Sequence, residues 1–370
     1  MVSESSFKQT EVGLIPEDWD FKKLGELGDV KMCKRIFQNQ TSEYGDVPFF
    51  KIGTFGREPD AYISKKIFEE FKLKYSYPKK GDILISAAGT IGRTVIYNGE
   101  ESYFQDSNIV WLANKGEIVS NALLKYILEV IKYNTEGGTI QRLYNSILRS
   151  TIFLCPPLPE QKAIAEALSD ADAWIENLEN LITKKNLIKQ AAKQELLTPK
   201  EDWKVKKLGD IVQFGSGKDY KHLTYGDIPV YGTGGLMTMV SDYLYEGESV
   251  GIGRKGTIDN PIYLTGKFWT VDTLFYTHSF WGTIPKFIYY QFLQIPWKEY
   301  NEASGVPSLN KKTLEQIEIS LPSLVEQTSI VNILSDIDKE IESLANKLIK
   351  ARQIKQGMMQ ELLSGKTRLI

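Results

Sequence analysis

Basic side chains adjoin two short turns of the same sequence, Gly-Thr-Ile. In the first half of the chain the turn begins at Gly89 and is followed by Arg93; in the second half Arg254 and Lys255 directly precede Gly256. A glycine has no side chain to hold a ligand away, so the backbone can approach a phosphate closely there. Arginine and lysine supply the positive charge and the donors that a phosphate accepts. These residues therefore indicate binding of a phosphate-containing ligand rather than bond-making chemistry.

The motifs of nucleotide-dependent and methyl-transferring enzymes are incomplete in this sequence. The stretch FGSGK at Phe214 resembles a phosphate loop, but that motif needs a glycine at the position of Val212 and a Ser or Thr at the position of Asp219. An amino-methyltransferase needs Asn or Asp before two prolines and an aromatic residue after them, whereas CPPL at Cys155 has neither. We therefore expect no catalytic residues and no cofactor.

The composition favours a globular protein without a metal site. The chain has 370 residues, of which 42% are hydrophobic and 25% charged, enough for two or three domains. No segment approaches the roughly 18 consecutive apolar residues of a membrane span, and the N-terminal residues lack a signal-peptide pattern. Two cysteines (Cys33 and Cys155) and two histidines (His222 and His278) stand without ligand spacing. We expect a cytoplasmic protein.

A long helical pattern occurs twice. LPEQKAIAEALSDADAWIENLENLI begins at Leu158, and LVEQTSIVNILSDIDKEIESLANKLI begins at Leu324. The copies end alike, with QELLTPK at Gln194 and QELLSGK at Gln360. Apolar residues recur in alternating steps of four and three, the spacing of a coiled-coil seam. A seam this long needs a partner, so we expect the two helices to pair with each other.

The repeat extends beyond the helices. PEDWDFKKLGEL at Pro16 matches PKEDWKVKKLGDI at Pro199, and YGDVPFFKIG at Tyr44 matches YGDIPVYGTG at Tyr225. Short runs rich in Val, Ile, Tyr and Phe between glycine and aspartate turns predict strands. We therefore expect two α+β domains with twisted, mainly antiparallel sheets. The predicted boundaries are residues 1–155 for the N-terminal segment and first domain, 156–199 for the first helix, 200–321 for the second domain and 322–370 for the second helix.

The order of these parts predicts how the helices pair. The end of the first helix runs directly into the second domain, whereas the equivalent N-terminal segment before the first domain has no helix ahead of it. An antiparallel coiled coil would place the end of the second helix beside that segment. It would also separate the two domains and relate them by a pseudo-twofold axis. B-DNA is itself twofold symmetric, so separated domains related in this way are suited to a split DNA site.

The chain resembles the specificity subunit of type I restriction–modification systems. The matching stretches are KQTEVGLIPEDWDFKKLGEL at Lys8, GDILIS and GTIGR at Gly81 and Gly89, GRKGTID at Gly253, and the two helices that close in QELL. The resemblance covers essentially the whole chain and implies two target-recognition domains, each reading half of a bipartite site in double-stranded DNA. It also implies a helical spacer that docks two adenine-methyltransferase subunits and, through them, the motor–nuclease subunits. Such a subunit is not itself an enzyme.

Residues that contact DNA are expected among basic and polar side chains on loops with aromatic residues nearby. The net charge of −2 is compatible with this expectation, because a local basic stripe rather than the total charge supplies phosphate contacts. The candidate contacts are Lys34, Arg35, Arg57 and Arg93 in the first domain, and Lys218, Tyr220, Lys221, Arg254 and Lys255 in the second.

Two alternatives stay open on the sequence. The chain could be a recognition module detached from a fused restriction–methylation enzyme. It could also be a coiled-coil interaction protein without a role at DNA.

Overall fold

A computed structural model describes residues 7–10, 13–133 and 142–369. Glu11 and Val12 of the N-terminal motif, and residues 134–141 of the first predicted domain, lie outside the described residues. The chain forms two compact units. The first comprises the described residues of Met1–Asn177 and Lys347–Ile370, and the second comprises Leu178–Asn346. No helix among the described residues is long and apolar enough to cross a membrane.

The described residues of the first unit form eleven short strands and four short α-helices. The strands are β1 (Phe7–Thr10), β2 (Gly13–Pro16), β3 (Asp20–Lys23), β4 (Val30–Lys31), β5 (Val47–Phe50), β6 (Tyr62–Ile63), β7 (Ile83–Ser86), β8 (Thr94–Ile96), β9 (Tyr103–Phe104), β10 (Ile109–Leu112) and β11 (Ile152–Cys155). The helices are α1 (Leu24–Leu27), α2 (Lys65–Lys74), α3 (Asn121–Val130) and α4 (Asn145–Ser150). Ser64 and Ser120 cap α2 and α3, because their hydroxyls accept hydrogen bonds from backbone N–H groups of the first turn.

A long helix, α5 (Leu158–Leu197), follows these elements and continues into the second unit. The strands of the second unit are β12 (Lys204–Lys207), β13 (Gln213–Ser216), β14 (Ile228–Gly232), β15 (Gly235–Val240), β16 (Tyr245–Glu246), β17 (Ser249–Gly253), β18 (Ile262–Leu264), β19 (Lys267–Thr270), β20 (Leu274–His278) and β21 (Glu318–Leu321). Its shorter helices are α6 (Leu208–Ile211), α7 (Pro285–Phe292) and α8 (Lys311–Gln316), and the second long helix is α9 (Leu324–Leu362).

The sheets of the two units share one topology. The four-stranded antiparallel sheet has the order β4-β10-β7-β8 in the first unit and β13-β20-β17-β18 in the second. Beside it, each unit has one parallel strand pair within a mixed sheet: β5 with β9 in the first unit and β14 with β19 in the second. The predicted α+β class with mainly antiparallel sheets is therefore confirmed.

The long helices pack against each other within both units. In the first unit Ile164 and Leu168, near the start of α5, are buried in the same cluster as Leu362 at the end of α9. In the second unit Leu197, at the end of α5, is buried with Ile330 near the start of α9. Each helix start thus packs with the other helix end, which confirms the predicted antiparallel pairing.

In each unit, one buried glutamine joins the start of a long helix to the preceding part of that unit. Gln161 donates from Nε2 to the carbonyl oxygens of Ile118 (2.8 Å) and Pro156 (2.9 Å). Its counterpart Gln327 donates from Nε2 to the equivalent carbonyl oxygens of Gly282 and Pro322, at 3.1 and 3.0 Å. A buried amide without such partners would be costly, so these bonds fix each helix start against its domain.

A second repeated joint links three elements through a carboxylate. In the first unit Asp172 of α5 accepts from the Tyr126 hydroxyl at 2.8 Å and pairs with Lys355 of α9 at 2.7 Å. In the second unit Asp338 of α9 accepts from the Tyr290 hydroxyl at 2.8 Å and pairs with Lys189 of α5. The same chemistry therefore holds the domain and both helices together in each unit.

The pKa of Asp172 reflects this joint. Desolvation on its own would raise the pKa, but hydrogen bonds from Lys125, Lys355 and Tyr126 outweigh it, so the pKa lies below its ordinary value. The folded state therefore favours the ionised carboxylate.

A third joint differs between the units. Glu160 is buried, and its carboxylate accepts from Trp19 Nε1 at 2.8 Å and from Arg368 Nε and Nη2 at 2.7 and 2.8 Å. In the second unit the equivalent Glu326 pairs with the exposed Lys200 at 2.6 Å. The counterpart of Trp19 is Trp203, whose buried Nε1 has no hydrogen-bond partner among the described residues. The same glutamate is therefore part of a buried charge network in one unit and of a surface ion pair in the other.

Candidate nucleic-acid interface

Each unit has an open cavity where its parallel strand pair ends. In the first unit β5 and β9 run into residues 51–53 and 105–108, and a cavity of about 810 Å³ lies there. In the second unit β14 and β19 run into residues 232–234 and 271–273, beside a cavity of about 710 Å³. The carboxyl ends of parallel neighbours meet at one edge of a sheet, so the loops that follow them converge on shared space.

Backbone hydrogen bonds place the two cavities at the same position of the shared topology. The N–H of Gln105 donates to the carbonyl of Phe50 at 2.9 Å, and that of Val271 donates to the carbonyl of Tyr231 at 3.0 Å. Likewise, the backbone N–H of Ala87 donates to the carbonyl of Asn108 at 2.7 Å in the first unit. In the second unit the backbone N–H of Arg254 donates to the carbonyl of Thr273 at 2.8 Å. We call these spaces the first and second head cavities.

The side chains that line the two head cavities differ. The first is lined by charged, amide and hydroxyl groups together with aromatic rings, including Arg35, Phe37, Gln38, Glu43, Lys51, Gln105, Asp106, Asn108 and Arg142. The second is lined by fewer side chains, including Asp219, Tyr220, Lys221, Thr233, Met237, Asp272 and Thr273. Each cavity offers both donors and acceptors, the groups that read base edges, but in different arrangements.

The two Gly-Thr-Ile turns have the backbone that their glycines permit. Gly89 has a φ of +65° and Gly256 a φ of +98°, values that other residues rarely adopt. The nearest groups to a Cβ at these positions would be Ile52 and Thr233, each at 3.7 Å, so there is space for one. The glycines are therefore required by the backbone conformation rather than by crowding.

The four candidates of the first unit have different positions, and of these four Arg35 alone lines the first head cavity. Its Nε donates to Asp106 Oδ2 at 2.8 Å. The Nζ of the neighbouring Lys34 lies 5.2 Å from the centroid of the Tyr75 ring. Arg57 is exposed in a turn and does not line the cavity.

Arg93 has a position unlike that of the other candidates. Its Nη2 donates to the carbonyl of Ile52 at 3.1 Å, and its guanidinium lies 5.3 Å from the ring of Phe55. Its Nε is buried without a hydrogen-bond partner among the described residues. The half-buried Arg93 therefore supports the loop next to the cavity.

All five candidates of the second unit gather around residues 270–273. Tyr220 and Lys221 line the second head cavity. The backbone N–H of Lys218 donates to the carbonyl of Thr270 at 2.8 Å, and that of Lys255 donates to the carbonyl of Thr273 at 3.2 Å. The Arg254 guanidinium donates to the carbonyl of Asp272 at 3.4 Å. The candidate residues of the second unit therefore lie near the end of the parallel strand β19, and two of them, Tyr220 and Lys221, line the cavity there.

Sequence reasoning missed Arg142 and Gln105 in the first unit. Arg142 Nη2 donates to Ser107 Oγ at 3.2 Å and to Asn108 Oδ1 at 3.3 Å at the cavity wall. Gln105 Oε1 accepts from the N–H of Ile52 at 2.9 Å and so joins the two cavity loops. The position of Gln105 directly after an apolar strand was the available signal, and nothing in the sequence around Arg142 marked it.

Burial raises the pKa of the Cys33 thiol to about 12, so this sulfur stays protonated and is a poor nucleophile. Among the residues that the structure covers, no group of three or more His, Cys, Asp or Glu side chains is placed to hold a metal ion.

Comparisons with known proteins agree with this geometry. The family model described as the type I restriction modification DNA specificity domain matches residues 16–190 and 200–352. A putative type I restriction enzyme specificity subunit of Haemophilus influenzae is 57% identical over 162 residues, which are 44% of this chain and 41% of that protein. The putative type I restriction enzyme MjaX specificity subunit of Methanocaldococcus jannaschii is 28% identical, across 99% of this chain and 97% of its own length.

A solved structure shares the fold. The S subunit of a type I restriction–modification system from M. genitalium superimposes with a TM-score of 0.65 and 20% identity, over 93% of this chain and 96% of that one. The family model covers most of both repeats. The chain therefore belongs to the family of type I restriction–modification DNA specificity domains, which recognise DNA and are not enzymes, as the sequence resemblance predicted.

Proposed function

We propose that the chain is the DNA-recognition subunit of a type I restriction–modification complex, and that each unit reads one half of a bipartite site. The observation that carries this proposal is the pair of head cavities, which share one topological position but differ in their lining. A shared position supports a shared task, namely approach to a DNA groove. Different donors and acceptors support different half-site sequences, because base edges are distinguished by their hydrogen-bonding pattern.

In this proposal the recognition domains occupy residues 1–155 and 200–321, and the helices between and after them set the half-site spacing. Helices of 40 and 39 residues correspond to about 60 Å at 1.5 Å per residue. The helices also dock two adenine-methyltransferase subunits, and motor–nuclease subunits join through these. The complex acts in the cytoplasm on double-stranded DNA. Membership of a DNA specificity family favours this function over a coiled-coil protein without a role at DNA.

A domain exchange tests the proposal. The chain is expressed with the methyltransferase encoded next to its gene, and methylated adenines are mapped across the genome. Replacing residues 20–150 by the equivalent segment of a relative should change one half-site and leave the other intact. The matched control replaces residues 204–316 and should change the opposite half-site. Simultaneous loss of both half-sites in either exchange would contradict independent reading.

Expression of the unchanged chain with the methyltransferase gives a separate check. Methylation at a split sequence supports the proposal. DNA binding without methylation by that partner would favour a recognition module detached from a fused enzyme.

A further inference from the structure

One exposed tyrosine is the same in both recognition domains. Tyr44 and Tyr225 begin the matching stretches YGDVP and YGDIP, which lead into the equivalent strands β5 and β14. Their exposed fractions are 85% and 83%, the two largest among the exposed aromatic side chains of the described residues. A single exposed ring needs no explanation, but the same exposed ring at equivalent positions of both domains calls for one.

The neighbouring residues of the turn are explained by folding. A Cβ on Gly45 would lie 2.9 Å from a neighbouring side chain, and one on Gly226 would lie 2.5 Å from a backbone carbonyl oxygen. Asp46 accepts a hydrogen bond from the N–H of Lys65 at 3.1 Å, and Val47 is fully buried. Glycine, aspartate and the apolar residue therefore have structural roles in the turn.

Folding gives no comparable reason for the tyrosines. Within the described part of the chain, neither Tyr44 nor Tyr225 has a side-chain hydrogen bond or a ring contact. The side chains that line the head cavities differ between the domains. A side chain that is the same on both domains and projects into solvent is suited to a partner that is the same on both.

The position of the tyrosines favours DNA as that partner. Ser42 and Glu43, directly before Tyr44, line the first head cavity, and Lys221, in the loop that leads to Tyr225, lines the second. If the cavities face the two half-sites, the bases differ between them but the sugar–phosphate backbone does not. Tyrosine hydroxyls are among the groups that bind backbone phosphates without reading sequence.

We infer that the hydroxyls of Tyr44 and Tyr225 each donate a hydrogen bond to a DNA backbone phosphate, at equivalent places in the two half-sites. This inference rests on the proposed function. The phosphate contacts position each domain on the duplex, whereas the differing cavity residues read the bases.

The test uses the complex of the full chain with its methyltransferase, after the methylated site of the wild-type complex has been mapped. Tyr44→Phe and Tyr225→Phe keep the rings and remove only the hydroxyls. Each should weaken binding of the mapped duplex about tenfold, as expected for loss of a hydrogen bond to a charged group. A duplex lacking the site should lose affinity by a similar factor, and the methylated sequence should stay the same.

Tyr243→Phe is the matched control, because Tyr243 is also exposed (42%) but is not repeated between the domains. Its DNA affinity should equal that of the wild type. An equal loss in the control, or unchanged affinity in both test variants, would overturn the inference. So would a changed methylated sequence, which indicates base reading, or loss of methyltransferase from the complex, which indicates a protein contact.

Failure of the proposed function would look different from failure of this inference. In that case the wild-type complex would neither bind a split site nor methylate one.

Discussion

Replacing Glu160 by glutamine is expected to destabilise the first unit by about 3 kcal/mol, the lower end of the cost of breaking a buried ion pair. The carboxylate is 1% exposed and Arg368 is 10% exposed, so water cannot take over the lost contacts. Glutamine keeps an acceptor for Trp19 but turns an amide N–H₂ toward the guanidinium, which also donates. Arg368 retains its contact with Asp18 at 2.8 Å, which limits the loss.

Glu326→Gln is the matched control in the second unit. Glu326 is 25% exposed and its partner Lys200 is 61% exposed, so water and salt screen this pair. Surface pairs of this kind contribute about 0–1 kcal/mol, and the control should cost no more than that. The comparison separates the effect of burial from the effect of removing the same charge at an equivalent sequence position.

Thermal unfolding and hydrogen exchange provide the measurements. For a unit of roughly 200 residues, 3 kcal/mol corresponds to a decrease in Tm of about 6–12 °C. Faster amide exchange should appear around Trp19 and residues 365–369 in the Glu160 variant and be absent in the control. If Glu160→Gln lowers Tm no more than Glu326→Gln, the buried network does not hold the first unit together in the way we infer.

Three further changes test other parts of the structure. Asp172→Asn should lower the free energy of urea unfolding at pH 7, and this loss should shrink as the pH falls below about 4 and disappear below the lowered folded-state pKa, because the stabilisation by the ionised carboxylate is lost as the pH falls through that pKa. If the variant and the wild type still differ as much in free energy of unfolding at low pH, the side chain's shape rather than its charge causes the loss of stability. Gly256→Ala should cost about 1–2 kcal/mol, since its φ of +98° strains any side chain, and Gly256→Asn should cost less in the same assay. Inserting one heptad in each long helix, at Leu178 and Leu344, should lengthen the gap between methylated half-sites by up to about three base pairs. Persistence of the original gap in a methylation map would show that the helices do not set the spacing.

The long helices could be predicted from the sequence because their signals are local. The four-and-three apolar spacing indicated helices from Leu158 and Leu324, and the structure has them at Leu158–Leu197 and Leu324–Leu362. Antiparallel pairing followed from the order of the repeated parts. The glycines of the Gly-Thr-Ile turns were chosen because they would let the backbone approach a phosphate, whereas the structure explains these glycines by their positive φ.

The head cavities could not be predicted because they depend on non-local strand pairing. Nothing in the residues of β5 and β9 shows that these strands lie parallel, and it is this pairing that brings residues 51–53 next to 105–108. Residue type also does not reveal how an arginine is used. Arg93 was chosen for its neighbouring turn, yet it packs over Phe55 and binds a backbone carbonyl, whereas Arg142 lies at the cavity wall.

The matching hydrogen bonds of Gln161 and Gln327 have a consequence for how the gene of this protein can change. Gln161 and Gln327 bind equivalent carbonyl groups. The contact that each helix start makes with the preceding part of its unit is therefore nearly the same. Recombination between the two similar helix-coding stretches of the gene would join a domain to the other long helix. The contact between that domain and the start of the helix would be preserved. If each unit reads one half-site as proposed, the products would be folded subunits with the half-sites in a new combination. New specificities could thus be inherited in single steps, with no need for a series of surface mutations that each preserve function.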